Sequence, residues 1–176
     1  YALSQARKFL KQSKYPFLYI GGTTGTGKSH LTVAVYYKLV QQGYVGEFVK
    51  WENEYSSLNA ERISDPVAFK KRMNKLKYSE VLLIDDILWN EEQKQPSPAE
   101  WKVAKEILDE RSIRGLKTLM SSNYNLKELF NLNQVVGGRI SEFTGGLNNF
   151  AIELNGKNYR MLKEGQMLLV EEDIGF

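Results

Sequence analysis

The stretch Phe17-Leu-Tyr-Ile-Gly-Gly-Thr-Thr-Gly-Thr-Gly-Lys-Ser-His-Leu31 decides the fold. Its first four residues are apolar and predict a buried strand, and a helix is expected to begin at Lys28. Between them, Gly22 to Ser29 matches the pattern G-x-x-x-x-G-K-[ST], in which a glycine-rich backbone turns its N–H groups inward around a phosphate. A strand before the loop and a helix after it are the context that this motif requires. The sequence therefore predicts a nucleoside triphosphate site.

The residues of this loop share the nucleotide chemistry. The Lys28 ammonium is expected to reach the β- and γ-phosphates of ATP, and the Ser29 hydroxyl is expected to ligate Mg²⁺. The only histidine, His30, is expected to pack beneath the loop rather than to act in catalysis, because the helix direction points its side chain away from the phosphates. The predicted nucleotide-binding set is Gly22, Thr23, Thr24, Gly25, Thr26, Gly27, Lys28, Ser29 and His30.

The composition excludes several classes of protein. The 176 residues include no cysteine, which excludes a disulfide framework, a thiolate zinc site and a cysteine nucleophile. No apolar run approaches the roughly 18 residues that cross a bilayer, so we expect a soluble, cytoplasmic protein with no membrane partner. The net charge of +3 is too small to identify a nucleic-acid binder by itself.

A second apolar strand, Val81 to Ile84, is followed by the carboxylates Asp85 and Asp86. This is the Walker B pattern, in which Asp85 would hold Mg²⁺ through water and Asp86 would orient the attacking water. Alone it is weak, but here it follows a complete phosphate loop by about 55 residues. Together the two motifs predict an ATPase.

Helix and strand patterns alternate along the rest of the chain, which predicts one domain with a parallel sheet and helices on both faces. Capping boxes are expected at Ser97-Pro98-Ala99-Glu100 and at Asn125-Leu-Lys-Glu128. Asp65 is expected to cap a helix with Pro66 at its first position. A loop is expected at 87–95, and a further segment is entered through Gly137-Gly138-Arg139. The predicted helices are 1–12, 28–42, one that begins after Asp65-Pro66, 98–111 and a short one after 125, and the further strands are 47–51, 118–123, 150–154 and 166–170.

The helix after Asp65-Pro66 carries a run of cations. Phe69, Met73 and Leu76 fall on one face, and no acidic residue occurs between Pro66 and Ser79. This pattern predicts a surface that contacts phosphates, with an ordinary solvated helix face as the alternative. The cations concerned are Lys70, Lys71, Arg72, Lys75 and Lys77.

Four motifs occur in one order, and together they resemble the AAA+ domain of the DnaC/DnaI helicase loaders of bacteria and phages. The resemblance covers about residues 17–160, and the transposition helper ATPase IstB shares the same core. The motifs are Gly-Thr-Gly-Lys-Ser-His-Leu at 25–31, Leu-Leu-Ile-Asp-Asp at 82–86, Ser-Ser-Asn at 121–123 and Asn-Tyr-Arg at 158–160.

The resemblance implies a fold, partners and two further site residues. It implies a single AAA+ P-loop domain over 1–176 with no separate C-terminal lid domain. Because the chain starts at Tyr1, we expect a fragment that lacks an N-terminal helicase-binding module. Asn123 would be the sensor 1 residue that reads the γ-phosphate, and Arg160 the sensor 2 arginine. The implied partners are a replicative DNA helicase, single-stranded DNA and other copies of the chain, with self-association on ATP or DNA. The resemblance also implies that the basic helix after Asp65-Pro66 contacts the single-stranded DNA.

One position departs from the family's pattern. These loaders commonly have Arg-x-x-x-Arg, the second arginine reaching a neighbour's nucleotide, whereas this chain has Arg139-Ile-Ser-Glu-Phe143. A phenyl ring cannot stabilise the charge on a transferring phosphoryl group. Either Arg139 serves as the catalytic arginine, or the arginine finger is lost and hydrolysis is weak.

Three functions follow from these patterns. The leading one is an ATP-hydrolysing helicase loader in DNA replication that binds single-stranded DNA. The others are a nucleotide-gated DNA-binding adaptor with little hydrolysis, or a transposition helper ATPase similar to IstB. A small P-loop kinase is disfavoured, because the region after Gly138 lacks an arginine-rich lid.

Overall fold

Five parallel strands form one sheet in this computed structural model, which describes residues 1–12, 14–90, 95–156 and 158. The strands lie in the order β2-β3-β4-β1-β5, so the sheet predicted from the sequence is confirmed. In chain order the elements are α1 (Ala2–Lys11), β1 (Phe17–Gly22), α2 (Lys28–Gln41), β2 (Gly46–Lys50), α3 (Trp51–Ser64), α4 (Pro66–Tyr78), β3 (Val81–Asp85), α5 (Pro98–Ile113), β4 (Lys117–Ser122), α6 (Leu126–Leu132), α7 (Gln134–Thr144) and β5 (Ala151–Leu154).

The sheet separates two hydrophobic cores, one on each face. In β1, Phe17 and Tyr19 join the core beneath α3 to α7, whereas Leu18 and Ile20 join the core beneath α1 and α2. Strands that are buried on both faces read as continuous apolar runs, which is why the central strands are so clear in the sequence. We refer to the two sets of helices as the α1–α2 layer and the α3–α7 layer.

The predicted elements are found with small shifts at their ends. The strand predicted at 47–51 ends at Lys50, because Trp51 begins α3. The Trp51 indole is buried and donates a hydrogen bond of 3.2 Å to Glu100 Oε1 at the start of α5. The strand predicted at 166–170 and part of the loop at 87–95 lie outside the described residues.

Gly137 and Gly138 lie within α7 rather than ahead of a new segment. A Cβ on Gly137 would lie 2.5 Å from the Cα of Phe130, which no side chain could accept. Glycine therefore lets α6 and α7 pack with their backbones close together. Glycine has a low helix propensity, but here the close packing of α6 against α7 outweighs that cost.

The helix caps predicted from the sequence are confirmed. Asp65 accepts hydrogen bonds from two backbone N–H groups at the start of α4, and complete capping boxes begin α5 at Ser97 and α6 at Asn125. Each such cap stabilises a helix by about 1 kcal/mol.

Within the described part of the chain, every helix is too short or too polar to cross a bilayer.

A buried arginine joins the α3–α7 layer to the sheet. Arg111 of α5 is fully buried and donates to the carbonyl oxygens of Leu76 at 2.8 Å, Ser79 at 3.0 Å and Lys117 at 2.7 Å, and to the hydroxyl of Thr118 at 2.8 Å. Burial lowers the pKa of its guanidinium to about 9, so the group remains charged at pH 7. Arg111 thereby satisfies carbonyl groups at the end of α4 and the start of β4.

We expect Arg111→Met to lower the free energy of unfolding by about 3 kcal/mol or more, because several buried acceptors lose their donor. The matched control is Arg114→Met, which removes an exposed arginine one turn later. Its surface ion pair with Glu110 should be worth no more than about 1 kcal/mol. Urea denaturation measures both values, and equal losses in the two variants would contradict the role given to Arg111.

Candidate nucleotide site

The loop from Gly22 to Lys28 joins β1 to α2, and its glycines take left-handed backbone conformations. Gly25 has φ +80° and Gly27 has φ +91°, which side chains disfavour. A Cβ on Gly27 would meet no atom within 4 Å, so conformation alone requires glycine there. A Cβ on Gly25 would also lie 1.8 Å from Oδ1 of Asn158, so the loop packs against the segment after β5.

His30 does not pack beneath the loop, contrary to the expectation from the sequence. Its side chain is exposed in the first turn of α2, and the neighbouring Leu31 faces the core. The apolar positions Leu31, Val35 and Leu39 recur at helical spacing, and they rotate His30 to the surface.

Lys28 is the central cation of the site and is only 5% exposed. Its Nζ donates to the carbonyl oxygen of Thr23 at 2.7 Å and to Oδ1 of Asn123 at 2.9 Å. The Thr24 hydroxyl also donates to Oδ1 of Asn123, at 3.3 Å. The amide that follows β4 therefore touches the phosphate loop that follows β1.

The strand register brings the two carboxylates to the same edge of the sheet. Gly21 of β1 pairs with Ser122 of β4, and Ile84 of β3 pairs with Met120 of β4. Asp85 and Asp86 thus lie at the carboxyl end of β3, one strand away from the phosphate loop. In open parallel sheets this is the edge where ligands bind, at the point where the strand order reverses.

Ser121 is a site residue that the sequence reasoning missed. Its hydroxyl donates to Oδ1 of Asp85 and accepts the backbone N–H of Asp86 at 2.9 Å. It therefore holds both carboxylate residues from the neighbouring strand. Only the register between β3 and β4 reveals this, although the sequence places Ser121 two residues before Asn123.

The turn after Asp85 is held in an unusual backbone conformation. Asp86 has φ +54° and Leu88 has φ +60°, and residues with side chains rarely adopt such values except where the surrounding structure enforces them. Trp89 packs edge-on against Tyr124, with 5.3 Å between the ring centroids. The aromatic pair joins the Walker B turn to the residue next to Asn123.

Tyr19, a residue of β1 whose side chain faces the α3–α7 layer, contacts the same region. Its hydroxyl donates to the carbonyl oxygen of Tyr124 at 2.5 Å. Burial raises the pKa of Tyr19 far above its ordinary value, so the phenol stays protonated and remains a donor.

The oxygen atoms at this edge fit a magnesium ion. Ser29 and Asp85 supply a hydroxyl and a carboxylate, the hard ligands that Mg²⁺ takes together with water and the phosphates of a nucleotide. The described residues contain no cluster of three or more His, Cys, Asp or Glu that could hold a metal ion on its own.

Arg139 is engaged within its own chain. Its Nε donates to Oδ1 of Asp109 at 2.9 Å, and its guanidinium pairs with Glu142 at 3.3 Å and lies 5.5 Å from the ring centroid of Phe143. Burial would raise the pKa of Asp109, but the hydrogen bonds from Lys105 and Arg139 outweigh it and lower that pKa.

Phe143 packs on the hydrophobic core, with its ring centroid 5.5 Å from that of Phe17. The position where the resembling loaders carry a second arginine is therefore a packing position here. Arg160, expected as the sensor 2 arginine, lies outside the described residues.

Three of the five cations of α4 form ion pairs, which the sequence alone did not predict. Arg72 pairs with Glu54 and Glu61 of α3, Lys75 pairs with Glu47 of β2, and Lys77 pairs with Glu106 of α5. The helix itself lacks carboxylates, but neighbouring elements supply them. Lys70 and Lys71 are exposed and form no ion pair with a described residue.

Neither a protein-family model nor a curated protein sequence matches the chain. Solved structures do match in fold. The DnaC helicase loader is 20% identical, with 89% of this chain and 88% of that chain covered and a TM-score of 0.66. DnaI is 22% identical, with 90% and 82% covered and a TM-score of 0.67.

DnaA from Aquifex aeolicus, solved with AMPPCP, is 20% identical with a TM-score of 0.69. It is matched over 99% of this chain but only 52% of its own, so this chain spans about half of the length of that initiator. These likenesses establish an AAA+ P-loop fold, and the predicted fold class is confirmed.

We expect Ser121→Ala to lower ATP turnover by roughly tenfold or more, because losing a hydrogen bond to a charged group costs about 1.5–3 kcal/mol and leaves Asp85 and Asp86 less well held. ATP affinity should change little, because the phosphate loop is intact. The control is Ser122→Ala, whose hydroxyl donates to the carbonyl oxygen of Ile87 instead. Steady-state turnover and equilibrium binding distinguish the two, and unchanged turnover in Ser121→Ala would contradict the assignment.

Proposed function

We propose that this chain binds and hydrolyses ATP, and that it uses this cycle to help place a replicative DNA helicase on single-stranded DNA. The observation that carries the proposal is the contact between the Lys28 ammonium and the Asn123 amide, 2.9 Å apart, beside the carboxylates that end β3. A cation, an amide and two carboxylates at one sheet edge are the groups that phosphoryl transfer to water requires.

Each group has a defined task in this proposal. The N–H groups of the loop and the Lys28 ammonium bind the β- and γ-phosphates, and Asn123 contacts the γ-phosphate. Ser29 and Asp85 would hold Mg²⁺, which neutralises charge on the phosphates when bound. Asp86 orients the attacking water. Arg160 is proposed as a second γ-phosphate contact from its motif alone.

The proposal that this ATPase is a helicase loader rests on similarity of fold to the DnaC helicase loader, to DnaA and to a DNA replication initiation factor. A solved DnaA complex contains single-stranded DNA as well as AMPPCP. Lys70 and Lys71 of α4 support a DNA contact in this chain, because they are exposed and lie on a helix without carboxylates. The partners proposed are therefore single-stranded DNA, a replicative helicase and further copies of the chain.

We expect Lys28→Ala to abolish ATP binding, because it removes the charge that faces the phosphates. Asp86→Asn should retain ATP binding and stop turnover, because an amide is a poor orienter of water in this role. Fluorescent-nucleotide titration and phosphate release measure the two properties. ATP affinity at the wild-type level in Lys28→Ala would show that the nucleotide site is wrongly assigned.

A second candidate is a nucleotide-gated DNA-binding adaptor with little hydrolysis. It is favoured by Arg139 and Phe143, because the first is paired with Asp109 and the second is packed against Phe17. A trans-acting arginine contributes about 10³–10⁵ in rate where it is present. In this chain Arg139 would have to leave its ion pairs to reach a neighbouring subunit.

Two variants decide whether Arg139 acts as a finger. We expect Arg139→Ala and Asp109→Asn to lower the free energy of unfolding by similar amounts, about 1 kcal/mol, and to leave turnover per subunit unchanged at all protein concentrations. Asp109→Asn releases the arginine without removing it. A loss of turnover in Arg139→Ala, with retained turnover in Asp109→Asn, would instead identify Arg139 as the finger.

A further inference from the structure

The first 46 residues of the chain contain no acidic residue. They carry six of the 24 cationic residues, whereas the remaining 130 residues carry 18 cationic and 21 acidic residues. This segment includes both helices of the α1–α2 layer. Among the residues that the structure describes, the two faces of the sheet therefore differ in charge, and the cationic face is not the one that carries α4.

Helix α1 divides this layer into a buried side and a cationic side. Ala6 and Phe9 are buried against the sheet. The outer side lines a groove of about 450 Å³, and Lys14 is exposed just beyond the helix. The residues that line the groove are Tyr1, Leu3, Ser4, Arg7, Lys8 and Lys11. We call Tyr1, Lys8, Lys11 and Lys14 the α1 surface.

The lysines of the α1 surface are not neutralised by the described part of the chain. All ion pairs among the described residues join partners between 47 and 142. The nearest strand at this edge, β5, carries Glu153, but Ile152 and Leu154 face the α1–α2 core and Glu153 alternates to the other side of the sheet. Three of the five cations of α4, by contrast, are paired with carboxylates.

We propose that the α1 surface binds the backbone of single-stranded DNA. Lysines without carboxylate partners hold counterions, and phosphates that replace them release these ions into solution. Tyr1 adds an aromatic ring that is 73% exposed beside the cations, and cations combined with exposed rings are what single-strand binders use to hold phosphates and stack bases. A duplex keeps its base faces stacked inside, so the single strand is the better occupant.

This inference rests on the proposed function in one respect only, which is that the polyanion bound by the α1 surface is taken to be DNA. The α1 surface leads into the amino end of β1, whereas the phosphate loop follows its carboxyl end. Changes on the α1 surface should therefore leave ATP affinity unchanged. ATP binding thus serves as an independent measure of folding and of the nucleotide site.

The test is a salt titration with a fluorescein-labelled thymidine oligonucleotide and the full chain. The variant Lys8→Gln/Lys11→Gln/Lys14→Gln should bind roughly tenfold or more weakly near 0.1 M salt, and the log–log salt slope should fall in magnitude by about 2, or roughly 0.7 per lost phosphate contact. The matched control Lys50→Gln/Lys102→Gln/Lys127→Gln removes three exposed lysines elsewhere and should keep the wild-type slope. Lys70→Gln/Lys71→Gln measures the α4 contact separately.

The aromatic part of the proposal has its own pair of variants. Tyr1→Ala should weaken binding roughly fivefold or more without changing the salt slope, since a stacked base is lost but no charge is removed. Tyr1→Phe keeps the ring and loses only the hydrogen bond from its hydroxyl to the carbonyl oxygen of Leu147, so it should bind like the wild type.

Three outcomes would overturn the inference. The first is a triple lysine variant that keeps the wild-type slope and affinity, and the second is a wild type that binds ATP but no oligonucleotide. The third is binding of vesicles rich in phosphatidylserine to the α1 surface in the absence of oligonucleotide binding, which would assign it to a lipid surface. A wild type that failed to bind ATP would contradict the proposed function instead, whatever the DNA titration gave.

Discussion

The burial of the Lys28 ammonium is the constraint on which the site depends. A buried cation must be satisfied by polar partners, and here these include the Thr23 carbonyl and the Asn123 amide. The first lies in the phosphate loop and the second follows β4, so the contact requires β1 and β4 to be neighbours. The strand order β2-β3-β4-β1-β5 meets that requirement and places β3, with its two carboxylates, next to β4.

Much of this could be predicted from the sequence, because the determinants are local. The left-handed conformations at Gly25 and Gly27, the caps at Asp65, Ser97 and Asn125, and the apolar runs of the central strands each depend on a few consecutive residues. Motifs that lie far apart in the chain lie together at one edge of the sheet, because the carboxyl ends of parallel strands are all at that edge. The order of the strands, β2-β3-β4-β1-β5, follows from no local pattern.

The features that the sequence did not predict are set by tertiary neighbours. The carboxylates that pair with Arg72 come from α3, and those of Lys75 and Lys77 come from β2 and α5. His30 faces solvent because three apolar residues fix the rotation of α2. The ion pair between Arg139 and Asp109 depends on how α7 packs on α5. Helical periodicity predicts the helix face on which a residue lies. Which residues contact that face depends on the tertiary structure.

The ion pairs of α4 and the lack of acids in the first 46 residues have a common electrostatic consequence. Carboxylates of α3, β2 and α5 compete with phosphates for the cations of α4, and each competing pair must be broken before a phosphate can take its place. No such exchange is needed at Lys8, Lys11 or Lys14 among the described residues. Exposed cations that already hold only counterions release them on binding, which is the main source of affinity for a nucleic-acid backbone. The density of cations along a sequence is therefore a weaker guide to such a surface than the absence of carboxylates around them in the folded chain.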